Sequence, residues 1–156
     1  MNNSLLKTVT TRALLDRARH YCALSEQCET AVRQKLINWG ATAEDIETVV
    51  ASLRNDDYLN DMRYARAYAE SKILQQHWGR QKVLYQLRLK HLPKEAIAES
   101  MKQVNEETYL AILSDEAEKK MRALGGEPTP DNRRRLLAFL ASRGFTADEI
   151  NRVIKY

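Results

Sequence analysis

A chain of 156 residues, 44% hydrophobic and 29% charged, can bury a core of its own without disulfides or metals as staples. No window approaches the ~20 apolar residues of a membrane-spanning helix, and the opening MNNSLLKTVTTRALL lacks the apolar run of a secretory signal. A cytoplasmic protein with no membrane partner is therefore expected. The two cysteines, Cys22 and Cys28, fall outside any CxxC or Cys/His ligand pattern and read as reduced thiols, which leaves no disulfide, metal or cofactor to expect.

Five glycines, three prolines and few β-branched alternations leave little material for strands, while apolar residues recur at helical spacing almost throughout. The fold class expected is all-α. Residues 1–10 read as a flexible N-terminus, and a first helix over Thr11–Ala23 places Leu14, Leu15, Ala18 and Tyr21 on one side. Ser25 is positioned to open a second helix running to Trp39. Gly40 then suits the left-handed conformation just past a helix end, and Thr42 with Asp45 three residues on forms a capping box for a third helix. Ile46, Val49, Val50 and Leu53 supply the buried face of that helix, which breaks at Asn55, Asp56 and Asp57.

The same grammar then returns. Leu36 stands four residues before Gly40 and ten before Ile46; Leu87 stands likewise to His91 and Ile97, and Leu140 to Gly144 and Ile150. The residue after each stop is apolar (Ala41, Leu92, Phe145), and the cap column reads Thr42, Pro93, Thr146. Offsets of 51 and 53 residues relate these columns, which predicts three tandem three-helix repeats over 11–56, 57–105 and 106–156, stacked as an elongated, curved solenoid. The third repeat differs by carrying LGGEPTPDNRRR, a loop leading into a basic helix start at Arg133, Arg134 and Arg135.

The middle repeat concentrates charge. From Met62 to Lys94 there are eight cations (Arg63, Arg66, Lys72, Arg80, Lys82, Arg88, Lys90, Lys94) against one acid, Glu70, a net of +7 that leaves the rest of the +4 chain at −3. Tyr58, Tyr64, Tyr68, Tyr85 and Trp78 fall in the same stretch. Such a basic, aromatic-studded centre points to a polyanion or an acidic protein as partner. Arg63, Arg66, Lys72, Arg80, Lys82, Arg88 and Lys90 form the expected contact set, with Arg133–Arg135 as a second, weaker one. Ala65, Tyr68, Ala69 and Ile73 should pack inward. Trp78-Gly79 reads as a corner, with the tryptophan as a packing wedge, and Tyr85 and Leu89 are assigned to the core between stacked neighbours.

Nothing in the chain spells a catalytic constellation. His20, His77 and His91 are scattered, and no Walker loop, GxGxxG or HExxH is present. Asp56, Asp57 and Asp61 could bind a metal in a nuclease, but turn and cap duty accounts for them, with Asp61 as N-cap of a helix over Met62–Gln76. A non-enzymatic binding protein is the expectation.

The run Leu59-Asn60-Asp61, then Arg63-Tyr64-Ala65-Arg66-Ala67-Tyr68, then Trp78-Gly79-Arg80-Gln81-Lys82-Val83 and Gln86-Leu87, resembles the central signature of the RecX family, regulators of the recombinase RecA. Tyr21-Cys22-Ala23-Leu24-Ser25 with Arg33-Gln34-Lys35-Leu36 resembles that family's first unit. Glu106-Glu107-Thr108-Tyr109-Leu110 and Arg143-Gly144-Phe145-Thr146 resemble its third, in the form seen in Bacteroides-like bacteria. The resemblance extends over Arg12–Ile154, and departs from the family pattern at His91, where glycine is usual, and at Asn60, where a second acid is common. It implies three three-helix repeats and a monomer that binds the RecA nucleoprotein filament along its groove, restraining ATP hydrolysis, strand exchange and the SOS response. It also marks Asp61, Tyr64, Tyr68, Trp78, Gly79 and Leu87 as structural signature positions. The residues alone leave open a second reading, a helical-repeat module that binds single- or double-stranded DNA without RecA.

Overall fold

The computed structural model describes residues 3–155, with side chains from Thr10 onward. Its helices follow in the order α1 (Asn3–Leu24), α2 (Glu29–Asn38), α3 (Ala43–Asn55), α4 (Asp61–Leu74), α5 (Arg80–Leu89), α6 (Lys94–Ser100), α7 (Glu106–Ala123), α8 (Pro130–Ser142) and α9 (Ala147–Val153). They group in threes, and in each group the first helix packs on the third, as α1 on α3, α4 on α6 and α7 on α9. The flexible segment expected over 1–10 falls partly outside the described residues. The backbone of α1 is helical from Asn3, eight residues ahead of the expected start.

Helix ends sit where local stereochemistry puts them. Gly40, His91 and Gly144 all adopt positive φ (87°, 56° and 102°), each reversing the chain after the middle helix of its repeat. Thr42 and Thr146 both complete capping boxes, with Asp45 and Glu149 respectively, and Pro93 takes the same cap position. The equivalent leucines Leu36, Leu87 and Leu140 are all fully buried.

Two helix starts differ from expectation. Ser25 opens nothing: its hydroxyl accepts from Gln27 Nε2 at 2.9 Å, and Gln27 Oε1 accepts from the Tyr21 hydroxyl at 3.0 Å, which holds 25–28 as a loop. Helix α2 begins at Glu29 after an extended Cys28. Asp61 is the first residue of α4 rather than its cap, because the Asn60 side chain accepts the Arg63 N–H at 3.0 Å. The Asp61 carboxylate instead accepts the Glu29 N–H at 3.2 Å, capping α2 from the neighbouring repeat.

Neighbouring repeats meet end to end along their middle helices. The carbonyls of Arg143 and Gly144, just past the end of α8, accept the N–H groups of Gly79 (2.7 Å) and Gln81 (3.0 Å) at the start of α5. Between them, the Arg80 N–H donates to the buried Tyr109 hydroxyl at 3.0 Å. The end of α5 meets the start of α2 in the same way, but here the Thr30 hydroxyl donates to the Lys90 carbonyl at 2.8 Å. Stacked in this way, the repeats form an elongated molecule. The apolar interior divides unevenly: one cluster runs through repeats 2 and 3 and takes in Cys28, while Leu14, Ala18, Leu36, Val50 and Leu53 belong to a separate cluster of repeat 1.

Candidate functional site

Helix α4 carries Tyr64, Tyr68 and Lys72 four residues apart, so they form one stripe, and Lys82, Gln86 and the C-capping Lys90 form a similar stripe along α5. The corner between the helices turns through His77, held at positive φ (58°) with its Nδ1 2.6 Å from Glu116 Oε1. That turn lays the two stripes side by side. Tyr64 stacks on Tyr68 (centroids 5.8 Å apart), and Tyr68 meets Trp78 edge-on at 6.5 Å. Three ammonium groups cover the row: Lys72 lies 4.8 Å and Lys82 4.4 Å from the Trp78 ring centre, and Lys90 5.5 Å from Tyr68. Each such contact is worth ~0.5–1 kcal/mol at a partly exposed site, enough to bias a lysine toward one position without neutralising it. Burial pushes both the Tyr64 and Tyr68 phenols up, so they remain neutral.

The row continues into both neighbours. Tyr21 lies close enough to Tyr64 to add to the rise in its phenol pKa, and Tyr21 in turn meets Trp39 edge-on at 6.2 Å. Arg17 stands over Trp39 at 4.2 Å and Lys35 over Tyr21 at 5.5 Å. A shift of 51 residues maps Arg17 onto Tyr68 and Trp39 onto Lys90, so the same two positions hold a cation on an aromatic ring with the partners exchanged. On the other side the Lys82 stem abuts Gly144, next to Arg143, whose guanidinium donates to the Gln76 carbonyl at 2.5 Å. Arg143 stands 5.9 Å and Lys120 4.9 Å from the Phe139 ring. A ladder of seven cations on aromatic rings thus crosses all three repeats, and among the described residues none of the seven is paired with a carboxylate. Comparing cation and aromatic columns jointly at the 51-residue offset would have revealed the part of it formed by Arg17, Trp39, Tyr68 and Lys90.

The expected contact set is divided. Lys72, Lys82 and Lys90 come together on the ladder. Arg63 and Arg80 lie apart from it, and both are engaged in ion pairs that bridge repeats. Arg63 bonds Glu26 at 2.5 Å and Asp57 at 3.0 Å. Arg80 bonds Glu106 at 2.7 Å, approaches Glu149 at 3.5 Å and stacks on Tyr109 at 3.8 Å. Arg66 is exposed about 160° around α4 from Tyr68, on the side of Glu70. Arg88 borders a groove between α5 and α6 instead. Arg133, Arg134 and Arg135 are exposed at the start of α8, where Asp131 pairs with the last two.

Several signature positions acquire definite roles. Gly79 is buried at the second junction, where an added Cβ would lie 2.1 Å from the Gly144 carbonyl carbon, and Leu87 is core. Trp78 is half-buried and belongs to the ladder, more than the packing wedge expected. Burial pushes the Asp61 carboxyl up, opposed by Arg54. Tyr85 and Leu89 correct the sequence reading outright: they are 60% and 54% exposed, because stacked repeats touch at helix ends and leave the outer side of α5 uncovered. Cys22 and Cys28 are free and buried. Among the described residues no group of His, Cys, Asp and Glu is arranged to hold a metal, and no helix is long and apolar enough to cross a membrane.

Models of two RecX domains match the chain: the second three-helix domain over residues 60–101 and the third over 107–154. The chain is 30% identical to the regulatory protein RecX of Prosthecochloris aestuarii over 92% of its own length and 93% of that protein. It is 28% identical to that of Shigella boydii, over 96% and 95%. The crystal structure of RecX from Lactobacillus salivarius superposes with a TM-score of 0.83 at 17% identity, covering 92% of this chain and 93% of that one. A second regulatory protein RecX structure superposes at 0.82 with 18% identity, covering 98% and 77%. With the three-repeat fold shared and the sequence match running nearly end to end, the chain belongs to the RecX family of regulatory proteins.

Proposed function

We propose that this protein is a monomeric cytoplasmic regulator that binds the RecA nucleoprotein filament through its cation–aromatic ladder and so restrains ATP hydrolysis, strand exchange and SOS induction. The observation that carries this reading is the uncompensated charge of the ladder. Where Arg63 and Arg80 of the middle repeat are paired with acids between repeats, Lys72, Lys82 and Lys90 are paired with none among the described residues. An extended cationic strip is attracted to a filament built of phosphate and protein, and its half-exposed aromatic rings add surfaces on which unpaired bases can stack. Length matters as well: a strip crossing three repeats can engage several filament subunits at once, which favours binding in a groove over binding at a single site.

The test is a titration of RecA ATP hydrolysis on single-stranded DNA. The triple variant K72E/K82E/K90E is expected to lose at least about tenfold in inhibitory potency while keeping the helicity of the parent by circular dichroism, since these side chains hold no internal ion pair. Parent inhibition should also weaken steeply with added salt, as counterion release from phosphates requires. Inhibition by the triple variant at parental concentrations would reject the ladder as the filament contact.

A further inference from the structure

Apart from the ladder, the middle repeat has a second concave surface. A groove of 660 Å³ runs between α5 and α6, floored by Leu84, Ala98 and Met101 and rimmed by Arg88, His91 and Lys94. Among the described residues, no carboxylate pairs with Arg88 or Lys94. His91 is fixed on the rim by its positive φ and its N–H bond to the Arg88 carbonyl at 3.0 Å. Arg88 lies about 120° around α5 from Lys82 and about 160° from Lys90, so the groove opens on a different side from the ladder.

The other repeats show that this groove is not a by-product of the fold. In repeat 1 the positions of Leu84 and Ala98 are held by Arg33 and Glu47, which bond each other at 2.7 Å and 3.3 Å across the mouth. In repeat 3 the rim positions of Arg88, His91 and Lys94 become Ala141, Gly144 and Ala147, with no charge at all. Only the middle repeat combines an open apolar floor with a cationic rim.

We propose that this groove binds an acidic amphipathic helix of a protein partner, with one or two apolar side chains seated on Leu84, Ala98 and Met101 and its carboxylates facing Arg88, His91 and Lys94. The floor favours a peptide over a nucleic acid strand, because a phosphate backbone has no apolar side chains to bury there and the groove has no aromatic ring for a base to stack on. With Arg88, His91 and Lys94 on its rim, the groove selects a segment rich in carboxylates. The site is separate from the ladder and stands whether or not the ladder contacts DNA.

The experiment is a fluorescence anisotropy titration of the full chain with a fluorescein-labelled helical peptide carrying Leu at i, i+4 and i+7 and Glu at the flanking positions. Saturable binding in the range of about 10 μM is expected for a short helix in a shallow groove. R88E/K94E should weaken it at least about tenfold by reversing the rim, and A98W should do the same by filling the floor, while K72E/K82E/K90E leaves it unchanged. Circular dichroism and the melting curve of A98W establish that the variant is folded; a rim variant, exposed at both positions, supplies the same answer if it is not. Four results would overturn the proposal: no binding, binding insensitive to R88E/K94E or to a folded A98W, equal binding of a peptide with Ser in place of Leu, or loss of binding in the ladder variant. A concentration-dependent dimer that A98W abolishes without peptide would equally overturn it, by assigning the groove to a second copy of the chain.

Discussion

The two junctions of this molecule are built on one plan with different materials. Between repeats 2 and 3 the contact is backbone to backbone: Gly79 and Gly144 allow the start of α5 to meet the end of α8 so closely that three successive N–H groups find acceptors on repeat 3. Between repeats 1 and 2 the equivalent positions are Cys28 and His91, and there Thr30 and Asp61 reach across with side-chain oxygens instead. The core follows the backbone, since it is continuous where the glycines meet and divides into two clusters at the other junction, crossed there by Cys28 and Ala31 from one side and Leu59 from the other. Close approach of main chains, more than any single bond, decides whether adjacent repeats share an interior.

The comparison breaks most visibly at Gly79. Gly79→Ala would place a methyl group inside contact distance of the Gly144 backbone, which cannot yield as a flexible side chain would, so we expect a loss of about 3 kcal/mol or more in urea denaturation. Cys28→Ala at the equivalent position removes one buried sulfur and should cost about 1 kcal/mol. Equal losses at the two positions would mean that the junctions do not differ as described.

A second contrast separates the two side chains that cap middle helices from the neighbouring repeat. Tyr109→Phe removes a buried hydroxyl that accepts the Arg80 N–H and donates to Glu149 at 3.2 Å, leaving the N–H without an acceptor, at about 1–3 kcal/mol. Asp61→Ala removes a cap at the half-exposed junction and should cost about 1 kcal/mol. Measured by the same denaturant titration, a larger loss at Asp61 than at Tyr109 would reverse the ranking of the junctions.

The smallest effect is electrostatic. The hydrogen bond from Arg80 holds the Glu106 carboxyl below its usual range, with Arg152 adding to the effect at 2.9 Å. A carboxylate whose folded pKa is depressed contributes stability above its unfolded value near ~4.3 and loses it as pH falls through the folded value. Glu106 is about half exposed, so the contribution should be no more than about 0.5 kcal/mol. Melting curves from neutral pH to about pH 3 should therefore show a slightly shallower acid loss in Glu106→Gln than in the parent. Parallel curves would assign the acid sensitivity of this junction elsewhere.

Why some features were legible in the sequence and others not follows from the range of the forces involved. Positive φ at Gly40, His91 and Gly144 and the capping boxes at Thr42 and Thr146 depend on neighbours a few residues away, so a repeat of helix stops and starts could be read directly. Asp61 was misread because a cap and the first residue of a helix carry the same residue types, and its true partner lies 32 residues away. Tyr85 and Leu89 were misread because a two-sided apolar helix is the same string whether it is covered or bare.

Local stereochemistry and the buried leucine columns, written into the sequence alone, determined nine helices in three repeats over the described residues, with a basic middle. Which of the cations are free was decided only in space. Arg63 and Lys82 carry the same formal charge, yet the fold sets a carboxylate 2.5 Å from the first and the Trp78 ring under the second. A charge is neutralised only by what lies within a few ångströms of it, and for residues on different repeats that distance is a property of the stacking, not of the string.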